Sequence, residues 1–276
     1  MSKQISILGT GWLGLPLAKA LLAEKYGIKS STTSKNKLDN LKNEGIDPYL
    51  IEVTEDGPAG AIESFLEGSE ILIINIPPGL RRNPESDFVG KIKHLIPSLE
   101  KSTIQKTIFI SSTSVFADLE GFPLITSETY PNAISNAGKQ LIQTEQILLS
   151  NQKLKTTILR FAGLFDARRH PASMLSKRKN IKNPQAPVNL IHREDCIGII
   201  KRIIAIDHWN DTFNASYPEH PEKAEYYGTI CKQMGLTIPD YDYKTPSKGK
   251  IINSDNVSKI LEYTFKRNLN LFDKNP

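Results

Sequence analysis

Cysteine is scarce in this chain: there are two among 276 residues, Cys196 and Cys231, with no C-x-x-C spacing. That excludes a disulfide scaffold and predicts two buried, reduced thiols in a cytoplasmic protein. No H-E-x-x-H run and no Cys/His cluster is present, so no metal site is expected. No apolar stretch approaches the roughly 20 residues that a bilayer crossing needs. The opening Met-Ser-Lys-Gln leads straight into an apolar strand, so neither a membrane span nor a leader is expected. A strong excess of one charge is missing too: 35 Lys and Arg stand against 30 Asp and Glu, a formal +5. The one short basic cluster, Lys177-Arg178-Lys179, lacks interleaved aromatics. This disfavours nucleic acid as a partner and leaves a small anionic molecule as the better match. There is no internal repeat and no low-complexity tract. The remaining composition is that of an ordinary globular chain, long enough for one large or two modest domains; it does not specify an oligomeric state.

Against these absences one stretch stands out. Ile5-Ser6-Ile7-Leu8 is a short apolar run that stops at Gly9-Thr10-Gly11-Trp12-Leu13-Gly14, and the apolar, Ala-rich Leu15 to Ala23 follows. Strand, G-x-G-x-x-G turn and helix is the context of a dinucleotide fingerprint. Gly9 permits the tight turn, Gly11 lets a pyrophosphate approach the backbone, and Gly14 lets helix and strand pack closely. The helix N-terminus offers N–H groups and a positive dipole end to the phosphates. Pro16 fits, because the first helical turn tolerates proline. Trp12 and Leu13 within the loop are further candidate cofactor contacts.

Strands and helices alternate through the first half, which predicts a doubly wound parallel α/β sheet of the Rossmann type. Strands are expected at 28–33, 49–53, 70–76, 106–111 and 156–160. Glu70 to Ile76 is nearly continuously apolar, as a strand buried on both faces is. Its end, Ile76-Pro77, is another candidate cofactor contact. Helices are expected around Leu38 and Leu41, at 61–66, along the stripe Phe88, Ile92, Leu95, Ile96 and Leu99, and through Leu141 to Leu148. After Arg160 the alternation weakens. A loop rich in Arg, His, Pro and Asn is expected to run to Asn189, with helices near 194–205 and 222–234 and a strand at 212–214. The expected division is a dinucleotide-binding domain over 1–165, its sheet completed by later segments, and a smaller C-terminal substrate lobe over 166–276. That lobe is expected over the carboxyl ends of the strands, where ligands bind in open α/β sheets.

An acid about 20 residues past the last glycine takes the ribose 2′-OH of NAD. Here the corresponding run is Thr32-Thr33-Ser34-Lys35-Asn36, without an acid. Hydroxyls at Thr33 and Ser34 and the Lys35 ammonium suit a 2′-phosphate, so NADP is favoured over NAD. Ser34 can also cap the helix that follows.

The strand end Ile108-Phe109-Ile110-Ser111-Ser112-Thr113-Ser114-Val115-Phe116 adds an S-S-x-x-V-aromatic pattern. Ile125-Thr126-Ser127-Glu128, Leu159-Arg160 through Phe165, Leu190-Ile191-His192-Arg193-Glu194-Asp195 and Phe213-Asn214-Ala215-Ser216 follow in order. This ordered set, covering most of the chain, resembles the extended and atypical short-chain dehydrogenase/reductases, especially their NAD(P)-dependent epimerase/dehydratase branch. Asp166 stands where that family's strand end has a glycine. The resemblance implies an oxidoreductase or epimerase acting on a nucleotide-sugar, with Ser112 holding a substrate oxygen. A tyrosine would exchange the proton, and a lysine four residues on would lower its pKa, since a free phenol near 10 is a poor base at neutral pH. Aligned backward from Glu145, those positions hold Ala137 and Leu141. Tyr130 lies seven residues too early to serve. The chain is also similar to an atypical branch in which an Asn-x-Gly-Lys/Arg stretch, here Asn136 to Lys139, replaces the catalytic pair. For that branch a dinucleotide-sensing or regulatory role stands beside the enzymatic one.

Three groups remain as candidates. Ser112 either binds substrate or satisfies its own strand end. Arg168-Arg169-His170 either grips a substrate phosphate or carboxylate, for which paired guanidiniums are suited, or is a solvated loop. Arg81-Arg82 makes the same offer on weaker grounds. His192 is expected to be a hydrogen-bonded structural histidine, Asn136 the cap of its helix, and Lys139 solvated.

Overall fold

The computed structural model describes residues 3–80 and 83–270, so Arg81 and Arg82 lie outside the described residues. In chain order the elements are β1 (Gln4–Leu8), α1 (Gly14–Ala23), β2 (Gly27–Thr32), α2 (Leu38–Asn43), β3 (Asp47–Thr54), β4 (Gly57–Gly60), α3 (Ile62–Leu66), β5 (Ile71–Ile74), α4 (Phe88–Lys101), β6 (Lys106–Ser112), β7 (Leu124–Ile125) and α5 (Asn136–Ser150). There follow β8 (Lys155–Phe161), β9 (Gly163–Phe165), α6 (Pro171–Leu175), β10 (Leu190–His192), α7 (Arg193–Ala205), β11 (Thr212–Ala215), α8 (Lys223–Gln233), β12 (Ile251–Ile252) and α9 (Asp255–Leu261).

Eight strands form one sheet in the order β11-β8-β6-β5-β1-β2-β3-β4. β1 pairs parallel with β2 on one side (Ile5 opposite Ile28) and with β5 on the other (Ile5 opposite Ile71). The strand order therefore reverses at β1, the switch point at which doubly wound sheets open a crevice beyond their carboxyl ends. The central strands are apolar on both faces: Ile71, Leu72, Ile73 and Ile74 are all at most 1% exposed. Burying each such side chain is worth about 1.5–3 kcal/mol. β4 was not legible as a strand, because Gly57-Pro58-Ala59-Gly60 has little strand propensity; it forms by antiparallel pairing with β3.

By internal packing the chain divides into two units. The first is Met1–Val115, Ala133–Leu159 and Ile200–Thr212; the second is Phe116–Asn132, Arg160–Ile199 and Phe213–Pro276. In the first, α4 buries Phe88, Ile92, Leu95 and Leu99 of the expected stripe, together with Val89, while Ile96 is half-buried; the helix is capped by Asp87, whose Oδ1 accepts from Gly90 N at 2.8 Å. The cap of α5 is Ser135, not Asn136: the Ser135 hydroxyl accepts from Gly138 N at 3.2 Å, and Asn136 is the first helical residue. In the second unit, the segment expected as an unbroken loop to Asn189 contains β9 and α6. Both are held by a core of Phe165, Ala172, Leu190, Tyr226, Tyr227 and Ile230. Asp195, fully buried, accepts from Tyr263 Oη (2.9 Å), Lys266 N (2.7 Å) and Arg267 N (3.1 Å), and so anchors the chain beyond α9. Cys196 and Cys231 are both free and buried. No helix among the described residues is long and apolar enough to cross a membrane.

Candidate functional site

A cleft of about 330 Å³ opens within the first unit, past the carboxyl ends of β1, β2 and β5. Its walls are Gly9 to Gly11, Ser31 to Ser34, Lys37, Ile51 to Val53, Asn75 to Pro77, Phe88 and Lys91. The glycines differ in what they permit. Gly9 sits at φ +107, and a Cβ there would lie 2.7 Å from Asn75 O. A Cβ on Gly14 would lie 2.2 Å from Gly9 O, so α1 and the loop touch backbone to backbone. A Cβ on Gly11 would meet nothing within 4 Å. The middle glycine therefore leaves open space, whereas the outer two are demanded by packing. That is the cradle a diphosphate requires, and the residues present fit a dinucleotide. α1 has no side-chain cap and no acid in its first turn, so no carboxylate competes for its positive end.

The loop is pinned to its neighbours. Gly9 N donates to Ser31 Oγ at 2.9 Å, Thr10 N donates to Ser31 O at 2.9 Å, and Thr10 Oγ1 also bonds Ser31 O (2.6 Å) and Ser30 Oγ. From the other side Asn75 Nδ2 donates to Gly9 O at 3.0 Å. None of these pins had a local sequence signal.

Thr33 and Ser34 line the cleft, as do Ile76 and Pro77. Ser34 stands at the cap position of a 3-10 turn, Lys35–Lys37, but its side chain makes no capping bond. Lys35 is exposed at the start of that turn, and Lys37 lines the cleft. The Leu13 side chain is buried in the core and Trp12 is half-buried. Glu52, on β3, is the one carboxylate among the lining residues, and Lys91 adds a second ammonium from α4. Neither was singled out from sequence, because both arrive from elements distant in the chain.

Ser112 closes β6, and its hydroxyl accepts from Ser114 N at 3.1 Å. Ser111 beside it donates to the buried Glu145 Oε1 at 2.5 Å. On α5, Leu141 is 5% exposed. A Cβ on Gly138 would lie 2.5 Å from Ser114 O and 2.4 Å from Ala133 Cβ, so the helix start is pressed onto the turn after β6. Lys139 is exposed, and so, at 89%, is Tyr130 in the second unit.

Arg168, Arg169 and His170 belong to the second unit. Asp166 Oδ1 accepts from Arg168 N (2.9 Å) and Arg169 N (2.7 Å), while its other oxygen meets Arg193 Nη1 at 2.8 Å. This turn leaves both arginine side chains exposed. His170 is 2% exposed and both its nitrogens are used. Nδ1 accepts from Ala172 N at 3.1 Å, capping α6, so Nε2 carries the proton and donates to Tyr226 Oη at 3.0 Å; that hydroxyl in turn donates to Leu269 O. Burial pushes the His170 pKa down to about 4. His192 Nδ1 accepts from Glu194 N at 3.2 Å, and burial lowers its pKa too.

A reversed parallel sheet with a glycine-lined cleft at its switch point defines a dinucleotide-binding α/β protein. Residues 9–196 match the NAD(P)H-binding family, and the chain belongs to it. Protein YeeZ of Escherichia coli (strain K12) is 30% identical over 267 residues, covering 95% of this chain and 96% of YeeZ. Among solved structures, UDP-glucuronic acid 4-epimerase from Bacillus cereus, in complex with UDP-glucuronic acid and NAD, shares the fold at a TM-score of 0.78 and 15% identity, covering 96% of this chain and 95% of that one. MoeE5 in complex with UDP-glucose and NAD does so at 0.77 and 13%, covering 96% and 94%. The chain therefore shares its fold with these two NAD-bound proteins.

Proposed function

We propose that this protein binds NADP(H) in the glycine-lined cleft and acts, as an epimerase, dehydratase or reductase, on a small anionic metabolite of the nucleotide-sugar class. The observation that carries the cofactor reading is the lining itself: an open approach at Gly11 beside Thr33, Ser34 and Lys37, with no carboxylate between residues 32 and 37. In this reading the loop N–H groups and the α1 terminus hold the diphosphate. Thr33, Ser34 and Lys37 hold the 2′-phosphate, which charge-assisted hydrogen bonds favour. Glu52, one strand further out, accepts from the exocyclic amino group of adenine. The bound dinucleotide supplies a hydride donor or acceptor. Within the first unit, Ser112 orients a substrate carbonyl or hydroxyl; within the second unit, Arg168 and Arg169 offer paired guanidiniums to an anionic group. Buried His170 fixes the turn that carries them. Ala137 has no proton to exchange, so that proton comes from water or from a side chain outside the family pattern. The UDP-sugars named in the B. cereus epimerase and MoeE5 complexes support a nucleotide-sugar as substrate.

Ala137 and the buried Leu141 favour a second reading, a protein that senses NADP(H) without turning substrate over. Fluorescence titration with NADPH and NADH tests the first step. Binding of neither at millimolar concentration refutes the cofactor reading. Incubation of the NADP-loaded protein with UDP-glucose and UDP-glucuronic acid, followed by NMR of the sugar, then separates the two readings: a changed sugar supports the enzyme, and an unchanged one leaves the sensor ahead.

A further inference from the structure

The start of α5, which in the resembling family carries the proton-transfer pair, is occupied here in another way. Gln140 Oε1 accepts from Phe88 N at 2.7 Å, and Gln140 Nε2 donates to Ser86 O at 3.1 Å. One side-chain amide thus pairs with a donor and an acceptor two residues apart on the strap that leads into α4. Asn136, one turn earlier, braces the same contact: its Oδ1 accepts from Gln140 Nε2 at 3.3 Å and its Nδ2 reaches Pro84 O at 3.5 Å. All these residues belong to the first unit. Phe88 is the first residue of α4, and Lys91 follows it by three, so both project from one face of the helix. Both line the dinucleotide cleft. Phe88 is further fixed by a stacked contact with Phe109 of β6, ring centroids 6.3 Å apart.

We propose that Gln140 is a positioning residue for the cofactor site: its two-point amide clamp sets the start of α4, and with it the Phe88 and Lys91 side of the cleft. The inference rests on the NADP(H) reading above. It gives the residues next to the missing pair a task, that of holding the pocket wall. An amide suits it because its oxygen and nitrogen present an acceptor and a donor side by side on one uncharged group. The Asn side chain is one methylene shorter.

The test compares NADPH affinity in the wild type, Gln140→Ala and Ser135→Ala, each well below its melting temperature, with amide hydrogen exchange of a peptide spanning residues 84–92 in the nucleotide-free protein. Ser135→Ala weakens α5 by removing its cap but leaves the clamp in place. Gln140→Ala is expected to raise the NADPH Kd about tenfold, a displaced pocket wall being costly, and to speed exchange at Phe88. Ser135→Ala is expected to stay within about twofold of the wild type in both. An unchanged Kd in Gln140→Ala, or an equal loss in Ser135→Ala, overturns the inference while leaving the cofactor reading intact. A wild type that binds neither nucleotide refutes both.

Discussion

Gly11 offers the sharpest test of the cleft, because stability and binding should move in opposite directions. Its backbone is not in the left-handed region and a Cβ there meets no atom within 4 Å, so Gly11→Ala introduces no strain into the folded chain. Replacing glycine where alanine fits stabilises by about 0.4–1 kcal/mol, through the lost freedom of the unfolded chain. The added methyl, however, stands where a diphosphate must approach the loop N–H groups. Loss of one or two charge-assisted bonds, at about 1.5–3 kcal/mol each, predicts about 1.5–6 kcal/mol overall, or a Kd raised at least about tenfold. Gly14→Ala is the control. Its Cβ would fall 2.2 Å from Gly9 O and 3.0 Å from Asn75 Nδ2, so the helix must back away from the loop. Overpacking of that kind costs about 1–3 kcal/mol, a fall in Tm of roughly 2–10 °C at this chain length. Thermal melting and NADPH fluorescence titration measure the two effects. Gly11→Ala that binds within threefold of the wild type, or that melts as early as Gly14→Ala, refutes the assignment of open space at Gly11 to the diphosphate.

Charge reversal at Lys37 is expected to weaken NADPH about 10- to 30-fold and NADH less than threefold, with Lys35→Glu having the smaller effect on both; equal losses of the two nucleotides at Lys37 would remove the 2′-phosphate argument. His170 makes stability acid-sensitive. Burial holds its folded pKa near 4 while the unfolded value is about 6.5, so its contribution is complete above about pH 6.5 and is lost as the pH falls. The loss reaches about 3 kcal/mol at pH 4, and His192 and His220, both lowered by burial, act in the same direction. Urea unfolding of the wild type and His170→Gln at pH 7 and pH 4.5 should show a shallower acid dependence in the variant; an identical slope would count against the buried neutral imidazole. Asp195→Ala leaves the Tyr263 hydroxyl and the Lys266 and Arg267 N–H groups without their acceptor. A loss of about 3 kcal/mol or more is expected in the urea midpoint, and a change under 1 kcal/mol would show that this anchor does not hold the C-terminal segment.

What could be read from sequence, and what could not, divides along the range of the interactions. Strands buried on both faces are continuous apolar runs, so β1, β5 and β6 announce themselves locally, and the glycine turn between β1 and α1 carries its own spacing. β4 has no such signature, because pairing with β3 makes it a strand. The cap of α5 shifts by one residue from Asn136 to Ser135, the usual scale of error at a helix end. The run Thr32 to Asn36 directs attention to Lys35, whereas the 3-10 turn through Lys37 brings the later lysine to the cleft wall. Glu52 and Lys91 reach the cleft from β3 and α4, and Gln140 reaches a strap more than 50 residues away. His170 beside two arginines looks solvent-facing on paper; Tyr226, 56 residues later, accepts a hydrogen bond from its Nε2.

The same distinction bears on why the missing tyrosine and lysine matter. Under the alignment running back from Glu145, their absence could be a matter of two exchanged side chains on an otherwise ready helix. The surroundings of α5 argue for more than that. Leu141 faces the core at 5% exposure, so a lysine there would have to bury its charge or leave its place. Gly138 is pressed onto Ser114 O so closely that the helix start has no slack in that direction. Gln140 and Asn136 are already committed to the strap before α4. Each of these contacts stabilises a helix whose packing does not wait for a tyrosine–lysine pair. The cleft a few residues away keeps what a dinucleotide needs: an open Gly11, a pinned Gly9 and an uncapped α1. On the proposed reading the cofactor's seat does not depend on the family's proton-transfer groups, so binding and turnover must be measured separately.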